Sequence, residues 1–279
     1  MTKKFKVSAA FKYLFLSLLA FVSLFPFFWI IVGSTNESVE ITRGSLLPGK
    51  NFFVNLNNLL SSDLGFANSL VNSAKIAVLT TIFALLISSL AGYGFEIFKS
   101  RARERLFTIL LLSMMVPFAA LMVPLFRLFA FINSTPLKFM GLNTLIAVMV
   151  PSFSTAFLIF FFRQNTKSFP KDILEAARID GLGELEIFFK IYVPTMKSTY
   201  SAAAIITFMS SWNAYIWPLI ALQSPEKRTA VLIISTLGSS YNPDYGMIMT
   251  AILIATLPTA LIFFIMQKQF VQGMLGSVK

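Results

Sequence analysis

The chain has 279 residues, of which 56% are hydrophobic and only 13% are charged. Soluble domains carry about a quarter of their residues as charged side chains, so one water-soluble core cannot hide this much apolar surface. A net charge of +11 is compatible with a nucleic-acid partner. The basic residues, however, lie between apolar segments and form no continuous stripe, which disfavours that class. The composition therefore indicates a membrane protein.

Six charge-free segments are each long enough to cross the hydrocarbon core, which takes about 20 apolar residues. They comprise residues 13–36, 76–95, 106–126, 139–162, 198–225 and 245–267. The six segments predict an all-α, polytopic fold with six transmembrane helices.

Two uncharged segments have more than one interpretation. The first span follows several lysines, as a signal peptide does, but it is longer than the usual apolar region and no A-x-A cleavage site follows it. We therefore expect an uncleaved first helix. The shorter segment 229–243 contains Gly238 and Pro243, which predict an outer loop or a re-entrant helix.

Positive residues are distributed unevenly between the predicted loops. If the N-terminus lies inside, 16 of the 23 Lys and Arg residues fall on the inner side and 7 on the outer side. Because Lys and Arg accumulate in cytoplasmic loops, both termini are predicted to lie in the cytoplasm.

One face of the second predicted helix carries a small residue every four positions, at Ala84, Ser88 and Gly92. Small residues at this spacing let two helices approach closely, so this face is predicted to be a packing seam. Prolines within the predicted helices remove backbone hydrogen bonds, which is compatible with transport but does not indicate it. These are Pro117, Pro124, Pro151, Pro218 and Pro258.

The chain lacks most of the residues that membrane chemistry uses. None of its twelve acidic residues falls inside a predicted span, and it has no histidine and no cysteine. An ion-coupled carrier usually needs intramembrane carboxylates or histidines, although backbone carbonyls can bind sodium, so this class stays open as an alternative. A membrane enzyme is disfavoured because thiol nucleophiles, histidine bases and zinc ligands are missing. No G-x-x-x-x-G-K-[ST] occurs, so a transporter of this kind needs a partner that supplies energy.

The loop of residues 163–197, between the fourth and fifth predicted helices, begins with a short helix. Pro170 and Asp172 suit a helix N-terminus, and Gly181 and Gly183 are predicted to adopt left-handed conformations that end it. Its apolar face is predicted to consist of Ile173, Leu174, Ala176, Ala177 and Ile179.

A second helix is predicted from Glu184 until Pro194 breaks it, with an ion pair between Glu186 and Lys190 at i, i+4. On this pattern alone the loop could equally be an amphipathic connector that rests on the membrane surface with no partner.

A motif in this loop distinguishes the two interpretations. The sequence E-A-A-x-x-x-G runs from Glu175 to Gly181, and a hydrophobic-x-x-Pro follows it, ending at Pro194. Together they resemble the EAA motif of binding-protein-dependent ABC importer permeases. The resemblance extends to the family's carbohydrate branch, and above all to the second permease of maltose-type and multiple-sugar importers. It rests on residues 68–69, 91–94, 116–117, 123–125, 168–181, 212–213, 217–218 and 267–279.

The resemblance implies a type I importer permease of a bacterial cell membrane, in which this chain pairs with a second permease around one pathway. Two separate ATPase subunits would bind ATP and magnesium, so this chain would be no enzyme and would hold no cofactor and no metal. An extracellular solute-binding protein would deliver a sugar, most simply an oligosaccharide. The coupling helix that docks on an ATPase would use Glu175, Ala176, Ala177, Asp180 and Gly181.

The fifth predicted helix supplies candidate residues for the pathway, namely Trp212, Asn213, Tyr215 and Trp217. Aromatic rings could stack on sugar faces, but Tyr215 and Trp217 could equally belong to an interfacial aromatic belt. Another solute class, such as an amino acid, a peptide or an ion, is the alternative substrate.

The predicted organisation has three parts. An N-terminal helix and outer loop cover residues 1–67, a permease core covers 68–268, and a cytoplasmic tail covers 269–279. The tail could reach the ATPases or could simply end the chain.

Overall fold

The computed structural model describes residues 2–274, and the side chains of residues 9–268. Within that range the chain is helical and contains no β-strand. The α-helices in chain order are α1 (Thr2–Ser34), α2 (Ser38–Thr42), α3 (Phe52–Ser61), α4 (Phe66–Ile97), α5 (Arg101–Ser113), α6 (Phe118–Ile132), α7 (Leu145–Met149), α8 (Ala156–Thr166), α9 (Lys171–Ile179), α10 (Glu184–Ile187), α11 (Val193–Thr195), α12 (Lys197–Trp212), α13 (Ile216–Ala221), α14 (Ala230–Gly238) and α15 (Tyr245–Met274).

Three helical segments are long and apolar enough to cross a membrane by themselves: Ala9–Ser34, Phe66–Ile97 and Tyr245–Lys268. Two helix pairs pass the same test only when each is counted as one broken span, which brings the number to five at most. The sequence predicts six spans, and by length and composition the described residues contain three to five candidates. A charge-free window measures length and polarity but does not detect a change of chain direction.

The predicted span 106–126 is instead two helices that meet at an angle of 101°. Helix α5 ends at Ser113, and Pro117 is the N-cap of α6 with φ −66° and ψ 137°. The residue before a proline is biased away from helical geometry, which accounts for the break at this point. Pro124, by contrast, lies inside α6.

The predicted spans 139–162 and 198–225 are also interrupted. In the first, Leu145–Ser152 and Ala156–Thr166 meet at 42°, and the Thr155 hydroxyl caps α8 by accepting a hydrogen bond from the Leu158 N–H at 3.3 Å. In the second, α12 has 16 residues and α13 has 6, so neither has the length of a full span.

The chain folds as two compact units, of which the first comprises the chain up to Phe66 and Ile233–Leu257. Here the Asn55 amide donates hydrogen bonds at 3.0 Å to the carbonyl oxygens of both Ser34 and Asn36. Gly246 packs directly against this pair, since a Cβ there would lie 2.7 Å from the Asn55 amide. The start of α15 is capped by the Ser38 hydroxyl, which accepts a hydrogen bond from the Tyr245 N–H at 2.9 Å.

The second unit comprises Ala67–Leu232 and the chain from Pro258 onwards. The small-residue seam of α4 is confirmed in this unit. Ala84 is buried against Leu158 and Phe162, and a Cβ on Gly92 would lie 2.7 Å from the Cβ of Phe162 and 2.8 Å from the Arg163 nitrogen. Glycine is therefore needed at this position, because any side chain would push α4 and α8 apart.

Candidate functional site

The short helix predicted in the 163–197 loop is present as α9, Lys171–Ile179. Pro170 is its N-cap, with φ −65°, and Asp172 lies in its first turn. Proline supplies a preset φ and an aspartate is stabilised by the positive end of the helix dipole, so the local sequence specifies where the helix begins.

Helix α9 ends in a left-handed turn at Gly181, whose φ is +82°. The Leu182 N–H donates to the Ala177 carbonyl and the Gly181 N–H to the Arg178 carbonyl, both at 3.1 Å. These two bonds form a Schellman motif, which satisfies the last carbonyl groups of the helix. The same expectation for Gly183 is wrong: its φ is −72° and its ψ is 157°, because it serves as the extended N-cap of α10.

Only part of the predicted apolar face of α9 is buried. Leu174 and Ala177 pack into an aromatic cluster that includes Tyr93, Phe188 and Tyr192. Ile173 and Ala176 remain exposed, and so does Ile179, with 87% of its surface accessible. Leu174 and Ala177 are three residues apart and so lie on the same side of the helix, where they pack it against the cluster. The other apolar side chains of α9 face outwards.

The second helix of the loop begins at Glu184, as predicted, and its Glu186–Lys190 ion pair is confirmed at 2.7 Å. Glu186 also accepts a hydrogen bond from the Gly183 N–H at 3.2 Å. The hydrogen bond from Lys190, and secondarily the one from Gly183, hold the pKa of the Glu186 carboxyl below its usual value. Both contacts favour the charged carboxylate.

Pro194 does not break this helix. The chain passes from α10 into a π-helical turn, Phe188–Tyr192, and then into α11, which contains Pro194 and ends at Thr195. Proline has no N–H to donate, and the widened turn directly before it keeps the chain helical for one more turn. Burial raises the pKa of the Tyr192 phenol in this turn.

A polar link joins α9, α10 and α4. The Arg178 guanidinium pairs with the Glu184 carboxylate at 2.8 Å, and the Tyr93 hydroxyl donates to the same carboxylate at 3.3 Å. The hydrogen bond with Glu184 raises the pKa of Arg178 above its ordinary value. Sequence reasoning missed this link, because residues six apart on either side of a turn follow no helical spacing.

The five residues of the expected docking set are not equivalent in the structure. Glu175, Ala176 and Asp180 are exposed, and Gly181 forms the exposed turn. Ala177 instead packs inwards against the aromatic cluster. The exposed members can contact another protein, whereas Ala177 positions the helix that carries them.

An ion cluster at the junction of α4, α5 and α8 contains two buried residues, Glu96 and Arg163. Glu96 lies in the last turn of α4, one residue beyond the predicted span 76–95, so it stays outside that span as the sequence predicts. It pairs with Lys99 at 2.6 Å and with Arg163 at 3.4 Å, and Arg163 also pairs with Glu104 at 2.5 Å. Opposite charges offset the cost of burying the carboxylate, so the cluster ties α4, α5 and α8 together.

The candidate pathway residues divide into two groups. Trp212 is buried and stacks on Phe208 with ring centroids 5.7 Å apart, and the Asn213 amide donates to the Met209 carbonyl of its own helix at 2.8 Å. Tyr215 and Trp217 line a cavity of about 590 Å³. The indole N–H of Trp217 donates to the Ala147 carbonyl at 2.9 Å, so this ring also holds α13 against α7.

Comparison with known proteins places these features in context. The family model described as "Binding-protein-dependent transport system inner membrane component" matches residues 84–276. The chain is 51% identical to the lactose transport system permease protein LacG of Rhizobium radiobacter over 96% of this chain and 95% of that protein. It is 34% identical to the arabinooligosaccharides transport system permease protein AraQ of Bacillus subtilis, over 95% and 94% of the two chains.

A solved structure shows the same fold. A chain of a bacterial ABC transporter involved in the import of the acidic polysaccharide alginate superposes with a TM-score of 0.84. The match covers 97% of this chain and 99% of that one, at 20% sequence identity. This chain therefore has the fold of that transporter chain.

Proposed function

Because this chain belongs to the family of binding-protein-dependent transport system inner membrane components, we propose that it is the permease subunit of an ATP-driven sugar importer. A neutral oligosaccharide or disaccharide is its proposed substrate. The observation that carries this proposal is the 51% identity with a lactose transport permease along nearly the whole of both chains.

The exposed side of α9 is the proposed docking surface for an ATPase subunit. It presents Glu175, Ala176 and Asp180 together with the exposed apolar side chain of Ile179. An exposed carboxylate one turn from an exposed isoleucine suits a partner groove that carries a basic residue beside apolar side chains. A charge-assisted contact gains strength where the partner excludes water. Leu185 and Phe189, in the second helical segment of the loop, are also exposed apolar side chains.

The buried side of α9 is the proposed route by which movement reaches the membrane helices. Leu174 and Ala177 pack into the aromatic cluster with Tyr93 of α4, and Glu184 joins Arg178 to the same tyrosine. Packed cores resist continuous deformation, so a displacement of α9 moves its neighbours as a body. ATP and magnesium would act on the partner ATPase subunits, and this chain would take no part in the hydrolysis.

The remaining parts of the proposed assembly are a second permease, two ATPase subunits and an extracellular binding protein. We propose that both termini are cytoplasmic, which is supported by the excess of positive residues in loops assigned to the inside. The tail proposed to reach the ATPases lies largely outside the described side chains, and residues 275–279 lie outside the described backbone.

Disruption of this chain in its native cell tests the proposed substrate class. Uptake of labelled lactose or of an oligosaccharide should be lost, and uptake of labelled amino acids should be unchanged. Restoring the chain on a plasmid controls for effects on neighbouring subunits. Intact sugar uptake with a selective loss of peptide or amino-acid import would contradict the proposal.

A further inference from the structure

The end of α4 and the start of α5 form a groove that shares no residue with the proposed docking surface. It lies within the second unit and has a volume of about 290 Å³. All but one of its described lining residues are apolar, and the exception is an arginine: Ala91, Gly94, Phe95, Phe98, Arg103 and Leu106. The groove is therefore an apolar slot with a guanidinium group in its wall.

Small residues of α4 create the space. Ala91 and Gly94 are three residues apart, and Phe95 and Phe98 continue the same side of the helix. No atom lies within 4 Å of the position that a Cβ on Gly94 would take, in contrast to Gly92, which packs against α8. Gly94 thus faces open space and is not needed for packing between the described helices.

The groove lies where an apolar region meets a polar one. Helix Phe66–Ile97 is apolar enough to cross a membrane, and the groove is at its last two turns. Beyond the groove, Leu106, Ile109 and Leu112 of α5 recur every three residues and are all exposed. In a family of inner membrane components, an exposed apolar row of this kind marks a surface that meets lipid.

The polar end of the groove is basic. Four of the seven residues 99–105 are Lys or Arg. The one acidic residue, Glu104, is already paired with Arg163 of α8 at 2.5 Å. Three exposed arginines of this segment make no ion pair within the part of the chain that the structure describes: Arg101, Arg103 and Arg105. Their charge is available to an anion.

Arg103 is the basic residue that reaches the groove. One of its guanidinium nitrogens donates to the Phe98 carbonyl, and its Cζ lies 5.5 Å from the centroid of the Phe98 ring. A guanidinium group has five N–H donors in a planar array, so it can be held by Phe98 and still bind two oxygens of a phosphate. A side chain that is already held in place loses less entropy when it binds.

We infer that this groove binds an anionic phospholipid, with the phosphate on Arg103 and the glycerol end of the chains against Ala91, Gly94 and Leu106. The groove is too small for a whole lipid, so the rest of each acyl chain lies in the bilayer along the exposed side chains of α5. A zwitterionic phospholipid carries no net charge and gains less from the neighbouring arginines. The inference needs only the membrane location of the chain and is independent of the transported solute.

Photo-crosslinking of the whole importer complex tests the site. The complex is placed in phosphatidylcholine nanodiscs that contain a small fraction of phosphatidylglycerol with a diazirine near the glycerol end of one chain, and the labelled peptides are mapped. Label should appear within residues 91–106. Arg103→Gln should lower its yield roughly fivefold, the contribution of one basic residue near an anionic headgroup. Arg101→Gln removes the same charge from a residue that does not line the groove, and it should change the yield less than about twofold.

A second pair of variants tests the apolar part of the groove. Gly94→Leu fills the space without meeting another atom at its Cβ position, and Gly238→Leu adds the same side chain at another open position, in α14. Gly94→Leu should remove most of the label at residues 91–106, and Gly238→Leu should leave it unchanged. Unlabelled phosphatidylglycerol should compete for the site, whereas inorganic phosphate and extra phosphatidylcholine should not.

Several results would overturn the site. Equal losses for the two arginine variants would show a diffuse basic surface without a lipid bound in the groove. Unchanged labelling of Gly94→Leu would show that the lipid lies elsewhere, and full competition by inorganic phosphate would show a simple anion site. Absence of label within residues 91–106 of the wild-type chain would mean that another subunit covers this face.

Discussion

The backbone geometry of the turn that ends α9 predicts the free-energy cost of replacing Gly181. Gly181 has φ +82°, and no atom lies within 4 Å of the position that a Cβ would take. Gly181→Ala therefore meets no steric obstacle beyond its own backbone, and its cost is that of a left-handed conformation, about 1–2 kcal/mol. Gly183, two residues later, has φ −72° and ψ 157°, a conformation that any residue adopts, and the nearest atom to its Cβ position is Glu186 Oε2 at 3.9 Å.

This free-energy cost of Gly181→Ala should make the turn after α9 open more often. Hydrogen exchange of peptides covering residues 171–184 in the purified complex should accelerate roughly fivefold to thirtyfold for Gly181→Ala, the factor that corresponds to 1–2 kcal/mol. Gly183→Ala should exchange like wild type, and Gly181→Asn should lie between, because asparagine tolerates this conformation better than alanine does. Lactose uptake should fall in the same order if α9 must stay rigid to transmit movement.

The control variant also defines the result that would refute this reasoning. If Gly183→Ala exchanges as fast as Gly181→Ala, backbone strain at Gly181 does not determine the stability of the turn. If exchange accelerates at Gly181→Ala but uptake is unchanged, the turn is strained as described and does not matter for coupling.

Three further predictions concern the docking surface, the packing seam and the topology. Glu175→Lys should weaken co-purification with the ATPase and lower uptake several-fold, and a variant with full assembly and full transport would contradict docking through α9. Gly92→Ala should lower the free energy of unfolding in detergent by about 1–3 kcal/mol, since its Cβ would lie 2.7 Å from a side chain of α8. Gly94→Ala should be nearly neutral because nothing lies within 4 Å of its Cβ position, and equal melting of the two would refute the seam. A single cysteine at the exposed Ser168 should react with impermeant thiol reagents only from the cytoplasm. A single cysteine at the exposed Pro48 should react only from outside. The reverse labelling pattern would contradict the predicted topology.

Features set by short-range rules could be predicted from the sequence. The helix start at Pro170, the left-handed Gly181 and the Glu186–Lys190 pair all depend on residues within one turn of each other. The small-residue face at Gly92 also followed from spacing alone, because only small side chains allow two membrane helices so close together.

Features set by tertiary contacts could not be predicted in this way. Glu96 and Arg163 pair although they are 67 positions apart in the chain. The residues around each of them give no indication of the partner. Pro117 explains why the chain breaks after α5, but the angle of 101° between the two helices does not follow from the local sequence.

We propose above all that this chain carries a sugar across a membrane using the energy of a partner ATPase. The most direct measurement is labelled lactose uptake into proteoliposomes that contain the purified complex, with the binding protein and ATP supplied on opposite sides of the bilayer. Uptake should require ATP, the binding protein and this chain together, and an ion gradient should not replace ATP. Uptake driven by a sodium or proton gradient in the absence of ATP and the ATPase subunits would contradict the account.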